Sequence, residues 1–323
     1  MFMARKILFS WAMAHKSTGS IFAAGPAAGI ALITASVFLL SLSDALVKLS
    51  GVRFGLAQLI FLRSAFAAML LALGLKLFAR GTRLIPEHLG WVTARSLCLV
   101  SMWFCYYASL PHLPLSLAAA CYYTSPLWMA LLARFHLGEP VGLVRWCAIL
   151  LAFSGVVVSV NPSAGAVSPF LLLPLLAAFF YALAAIITWD KCRGEAPFAM
   201  ALNLNVALAV SGAAGMACVL LFPAGDGFAL TAWRPLGVSD WALIGLLALF
   251  LVAITTGVAG AYRTAPAPVV GLFDNAYLVF AALWSILIFA ERPSGLEIAG
   301  LAMIGLGAAI AARPPRVRQT TTD

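Results

Sequence analysis

Residues 114–162, PLSLAAACYYTSPLWMALLARFHLGEPVGLVRWCAILLAFSGVVVSVNP, lie over residues 266–314, PAPVVGLFDNAYLVFAALWSILIFAERPSGLEIAGLAMIGLGAAIAARP, in one frame with no gap. The positions that coincide are punctuation: Pro114 with Pro266, Glu139 with Glu291, Gly155 with Gly307 and Pro162 with Pro314. Unrelated apolar stretches match often at Leu and Ala, but seldom at Pro, Glu, Gly and Pro together. Each copy reads as apolar helix, tight acidic turn, apolar helix, and the chain is therefore a duplication.

Composition says where such a chain resides. Of 323 residues, 63% are hydrophobic and only 10% charged, with a mean hydropathy of +1.03. A soluble domain carries about 25% charged residues, so a lipid-embedded chain is implied. The net charge of +9 does not point to nucleic acid, because the Lys and Arg residues are scattered between apolar runs rather than gathered on one face. Cysteines 98, 105, 121, 147, 192 and 218 form no CxxC pair and fall mostly inside apolar segments. Neither a disulfide framework nor a metal site is expected.

A membrane-spanning helix needs about 20 mostly apolar residues. By that measure the spacing predicts ten spans: 26–48, 55–78, 91–110, 114–136, 143–160, 168–189, 197–222, 240–262, 266–289 and 295–312. Ser294 and Glu297 stand at capping-box spacing and set the start of the tenth just after Pro293. The expected fold is an all-α membrane protein, ten transmembrane helices arranged as two inverted five-helix repeats. Residues 25–162 form the first repeat and 163–314 the second, between an N-terminal tail, 1–24, and a basic tail, 315–323. The N-terminal stretch lacks the cleavage site and exported domain of a signal peptide, and reads as a cytoplasmic tail or as the product of an early start codon, with Met13 a later candidate. With the N-terminus inside, fifteen basic residues face the cytoplasm. Only Lys48, Arg53, Arg234 and Arg292 face away, and Arg63 lies within a span. That imbalance places both termini in the cytoplasm.

Ionisable residues at bilayer depth are costly, about 2.5–3.5 kcal/mol each on insertion scales, and are functional candidates by default. Asp44 and Lys48 stand one turn apart in the favourable acid-to-base order of an i, i+4 pair, with Arg63 of the next helix in reach of Asp44. An intramembrane ion cluster of Asp44, Lys48 and Arg63 either fixes how helices 1 and 2 pack or lines a substrate path. Asp274 lies about 12 Å into its span at 1.5 Å per residue, beside Asn275 and away from any basic residue. The repeat frame pairs Asp274 and Asn275 with Tyr122 and Tyr123, and Thr255 and Thr256 with Trp103 and Phe104. A pseudo-twofold axis then brings these groups to similar depth near the midplane. Asp274, Asn275, Tyr122, Tyr123, Trp103, Thr255 and Thr256 are the candidate substrate-binding residues, although any single ring can equally be packing or face lipid. Glu139 and Glu291 sit in turns and are expected to cap helices 5 and 10. Gly257, Gly260, Gly300, Gly305 and Gly307 would permit close helix contacts.

SDALVK (43–48), FLRSAFA (61–67), and the turns GEP (138–140) and ERP (291–293), each followed by a glycine-bearing helix, resemble EamA-type members of the drug/metabolite transporter superfamily. The likeness covers residues 28–312, and its arrangement looks closest to groups that include S-adenosylmethionine and riboflavin uptake proteins. The resemblance implies an inner-membrane carrier with a central cavity between two halves and both termini cytoplasmic. One departure stands out: the second half has Ala185 and Thr188 near where the first has Asp44 and Lys48, so the ion cluster is not duplicated.

The leading expectation is a secondary carrier that moves a small organic metabolite by alternating access. Asp274 would attract a cationic or amine-bearing group or hold a coupling proton, and Tyr122, Tyr123 and Trp103 would stack on a ring or hold a cation. No cofactor is expected, and no Walker-type loop links the chain to ATP. Its partners are a small-molecule substrate and the lipid bilayer, with a homodimer left open. A membrane-embedded enzyme would need a catalytic constellation, yet no HExxH or GxSxG is present, and His15, His88, His112 and His136 fall outside the membrane interior. A non-transporting scaffold or sensor is the other alternative, disfavoured by short, neutral loops.

Overall fold

The computed structural model describes residues 26–50, 53–78, 85–136, 142–160, 168–192, 194–222, 227–231, 233–265, 267–291 and 293–311. Among them the chain is all-helical, with ten helices, two of them interrupted, in the predicted order. These are α1 (Pro26–Ser50), α2 (Leu56–Phe78), α3 (Leu89–Ser109), α4 in two pieces, α4a (Leu115–Tyr122) and α4b (Ser125–His136), and α5 (Leu143–Val160). The second half has α6 (Leu172–Lys191), α7 (Pro197–Leu221), α8 (Val238–Thr264), α9a (Ala267–Asp274) and α9b (Ala276–Leu287), and α10 (Gly295–Ala311). The two tails and Glu139 lie outside the described residues.

Six of the spans are long and apolar enough to cross a membrane on their own account. α3 is not among them, because Arg95 and its several Ser, Thr and Tyr residues lower its hydropathy; its polar side chains are bonded to neighbouring helices. Arg95 Nε donates to Thr188 Oγ1 at 2.8 Å, and Ser96 Oγ donates to Asn203 Oδ1 at 2.7 Å. Large apolar side chains such as Met69, Leu73, Leu150, Val210 and Leu249 are exposed on the outer helix faces, as a multi-pass membrane protein requires.

The packing repeats itself about a twofold axis. α2 packs on α7 and α5 on α10, each helix meeting its own counterpart. α3 lies on α6 as α8 lies on α1, and α4 meets α6 as α9 meets α1. Two inverted five-helix repeats are therefore interlocked rather than side by side. At the α5–α10 seam the backbones nearly touch: a Cβ on Gly155 would stand 2.7 Å from Gly300 O, and one on Gly307 2.7 Å from Ala148 O. Gly305, expected to behave alike, has only the Leu278 side chain 3.6 Å away.

The capping box of α10 forms as its spacing predicts. Ser294 N–H donates to Glu297 Oε2 at 2.6 Å, and Glu297 N–H donates to Ser294 Oγ at 3.2 Å. Ser294→Ala should lower stability by about 1 kcal/mol, a loss of roughly 2–4 °C in melting temperature. A melt of that variant in detergent, matching wild type while Ser294→Thr also matched, would show the box to be idle.

Glu291 does something other than cap α10. It accepts the Ser285 hydroxyl and, at 3.4 Å, the N–H of Leu115 at the start of α4a. α10 already has its own cap, and the turn aims Glu291 back across the halves. That turn is strained: Ala290, with φ of 52°, holds a left-handed conformation that costs a non-glycine residue about 1–2 kcal/mol. Glu195 acts similarly at the opposite end of the bundle, accepting from Glu87 N–H at 3.0 Å and His88 N–H at 2.7 Å just ahead of α3.

Candidate midplane site

α4 and α9 are both interrupted at the same place in the repeat frame. α4a ends at Tyr122 opposite the end of α9a at Asp274. In α4 the cause is Pro126, which has no N–H and whose ring crowds the carbonyl of Tyr122. Thr124 compensates by donating its hydroxyl to Cys121 O at 2.7 Å. In α9 the break falls at Asn275 without a proline. Backbone that leaves the helix at bilayer depth is tolerated only where protein or a cavity covers it. Here the Tyr123 hydroxyl crosses between the halves and donates to the Asp274 carbonyl oxygen at 3.2 Å.

Around the paired breaks lies a tyrosine cluster. Tyr123 stacks on Tyr277 with ring centres 5.1 Å apart and planes 21° apart. Tyr277 donates its hydroxyl to Asp44 Oδ2 and shares a 2.8 Å bond with the Tyr106 hydroxyl. Tyr107 donates to Asp44 Oδ1 at 3.3 Å and accepts from Arg63 Nη1 at 2.6 Å. The Arg63 guanidinium lies 4.7 Å from the centre of the Trp103 ring. Tyr122 stands between Tyr106, at 5.3 Å, and Tyr181 of α6, at 5.6 Å.

The expected ion cluster is thus rearranged. Asp44 and Arg63 are almost wholly buried, at 2% and 1% exposure, and communicate through the Tyr107 hydroxyl. Lys48 leaves Asp44 altogether. Its ammonium reaches Glu291 Oε1 at 2.6 Å and Leu113 O at 2.7 Å, with the Phe289 ring 4.6 Å away. The reason is valence: Asp44 has two phenolic donors beside it, whereas Glu291 and a free carbonyl lie within reach of the long lysine stem.

Of the candidate substrate residues, Tyr122, Tyr123 and Asp274 are brought together at the breaks, with Asn275 beside them. Asp274 is half-buried, and no described residue forms an ion pair with it. Trp103 belongs to the Arg63 side of the cluster. Thr255 and Thr256 do not join it: their hydroxyls donate to carbonyls of their own helix, at Leu251 and Val252 and at Val252 and Ala253. Tyr106, Tyr107, Tyr181 and Tyr277 were not foreseen.

At one end of the bundle a cleft of about 670 Å³ opens between α3, α6 and the start of α7, reaching inward to Tyr181. At the C-terminal end of α1, Lys48 and Glu291 form their ion pair.

Residues 27–161 match the model of the EamA-like transporter family. Over that stretch, the first repeat, the chain is similar to the EamA-like transporter family. Among its relatives is a riboflavin transporter of Rhizobium johnstonii, 33% identical over 205 residues, a stretch spanning 61% of this chain and 61% of that protein. A pseudopaline exporter of Pseudomonas aeruginosa is 26% identical over 85% of this chain and 93% of its own. A protein of known crystal structure, 24% identical, matches with a TM-score of 0.60 over 89% of this chain and 97% of that one, a likeness of fold alone.

Proposed function

We propose that this chain is a secondary carrier of a small organic metabolite, with its substrate held where α4 and α9 break. The observation that carries the reading is the pairing of Tyr123 with the Asp274 carbonyl across the halves, beside an acid with no cationic partner among the described residues. Interrupted helices at repeat-equivalent positions leave backbone groups and a carboxylate at mid-depth, where carriers of inverted-repeat design bind. Residues 25–162 and 163–314 rock against each other, and a substrate drives that motion only by binding the two states unequally. The asymmetry of basic residues supports cytoplasmic termini, and the family resemblance supports an inner-membrane location. Relatives that carry riboflavin and pseudopaline support a metabolite rather than an inorganic ion as cargo. Transport rather than catalysis is the role.

The test is tracer flux in proteoliposomes, after a thermal-shift screen against flavins, nucleosides, amines and amino acids. Asp274→Asn keeps the side-chain shape but removes the charge. Loss of one charge-assisted contact, about 1.5–3 kcal/mol, should weaken binding roughly tenfold or more. Unchanged flux, affinity and pH dependence in that variant would remove Asp274 from the mechanism.

A further inference from the structure

The geometry points to a second ligand site in the cleft between α3, α6 and the start of α7: it accepts a planar aromatic compound bearing a carboxylate or phosphate, whose oxyanion seats on Arg95. Its role as an antechamber to the midplane rests on the carrier reading, but the binding itself does not.

The room arises from small side chains. Ala184, Ala185 and Thr188 form one wall, and Ala185 and Thr188 lie near where the first half has Asp44 and Lys48. The cleft they leave measures about 670 Å³, the size range of small-molecule pockets.

What the cleft attracts follows from counting its polar valences. Glu195 is 8% exposed, and its carboxylate is spent on the N–H groups of Glu87 and His88 and on His88 Nδ1 at 3.1 Å. It cannot readily serve a cationic ligand as well. Thr188 accepts from Arg95 Nε and donates to Ala184 O at 2.7 Å. Arg95 keeps its charge and a buried Nη1 that has no hydrogen-bond partner. The unspent capacity of the described lining is therefore cationic and donor-rich, which suits an oxyanion and its geometry. Tyr181 and Trp189 present exposed ring surface to the same space, a platform for a flat ring. Because Tyr181 also lies 5.6 Å from Tyr122, a molecule in the cleft abuts the midplane cluster.

The experiment is equilibrium titration of the purified full-length protein in detergent with benzoate, phenyl phosphate, inorganic phosphate and neutral benzamide, read by intrinsic fluorescence and by calorimetry. Benzoate or phenyl phosphate should saturate in the millimolar range, and which of the two is tighter separates carboxylate from phosphate as the preferred head group. Benzamide, and benzoate on folded Arg95→Gln, should bind at least about tenfold more weakly, the effect of losing one charge-assisted contact. Trp189→Ala, at an exposed position that folding should tolerate, should weaken phenyl phosphate but not inorganic phosphate. Equal binding of benzoate and benzamide, no saturation by either anion, or undiminished anion binding in folded Arg95→Gln would overturn the site. Anion binding without flux of any tracer would count against the carrier reading and leave this site standing. Flux without anion binding would do the reverse.

Discussion

Gly300→Leu is expected to be the most damaging single substitution in the molecule. A Cβ at Gly300 would lie 2.5 Å from Gly155 O and 2.6 Å from Ser159 N, and closer still to the Ser159 hydroxyl. These are mainly backbone atoms of α5, so no rotamer change relieves the clash and the helices must separate. α5 and α10 are counterparts in the duplication, and their seam is one of the two places where the halves meet like to like. Overpacking of this kind costs about 3 kcal/mol or more, a fall of roughly 5–10 °C in melting temperature, and in a membrane it also removes the close contact that holds helices together. Gly305→Leu on the same helix is the control, since only the movable Leu278 side chain lies near it. Scanning fluorimetry in detergent decides the matter: if both leucine variants melt alike, the seam is not where the two halves are held.

Lys48→Ala should come next. Lys48 ties the end of α1 to the α9–α10 turn and to the α3–α4 turn, through Glu291 and the Leu113 carbonyl. Side-chain exposures of 11% and 26% make this pair more protected than a surface bridge but less than a core one. Removing one partner of a fully buried pair costs about 3–5 kcal/mol; partial solvation should reduce that to about 2 kcal/mol. Lys48→Ala and Glu291→Ala should be non-additive, with a coupling of about 1 kcal/mol or more in a double-mutant cycle. Simple additivity would mean that the two groups are neighbours without being partners. If the two repeats rock during transport, this bond must open and close, and its rupture should alter flux as well as stability.

Much of the fold was legible because lipid simplifies the problem. Span boundaries followed from run length, and the observed ends of α1, α7 and α10 fall within a few residues of expectation. Ser294 and Glu297 cap α10 because capping is local chemistry decided within one turn of chain. The pairing of residues 122–123 with 274–275 was legible from the duplication alone, and the Tyr123 hydroxyl does meet the Asp274 backbone. What failed was every assignment of a charge to its nearest neighbour in sequence. Asp44 and Lys48 satisfy the i, i+4 rule, yet each is taken by a partner from the other half. Helices that are apolar on all sides carry no stripe to announce which face turns inward, so Tyr106, Tyr107 and Tyr277 could not be told from lipid-facing rings, nor Thr255 and Thr256 from pore-lining ones.

The amino-acid order by itself determined ten helical segments and their duplication, since run length and punctuation are read along the chain. Only the tertiary structure decided which donors meet which acceptors. In a medium without water a buried charge goes wherever the most hydrogen bonds converge, and convergence is a property of helices brought together from both repeats.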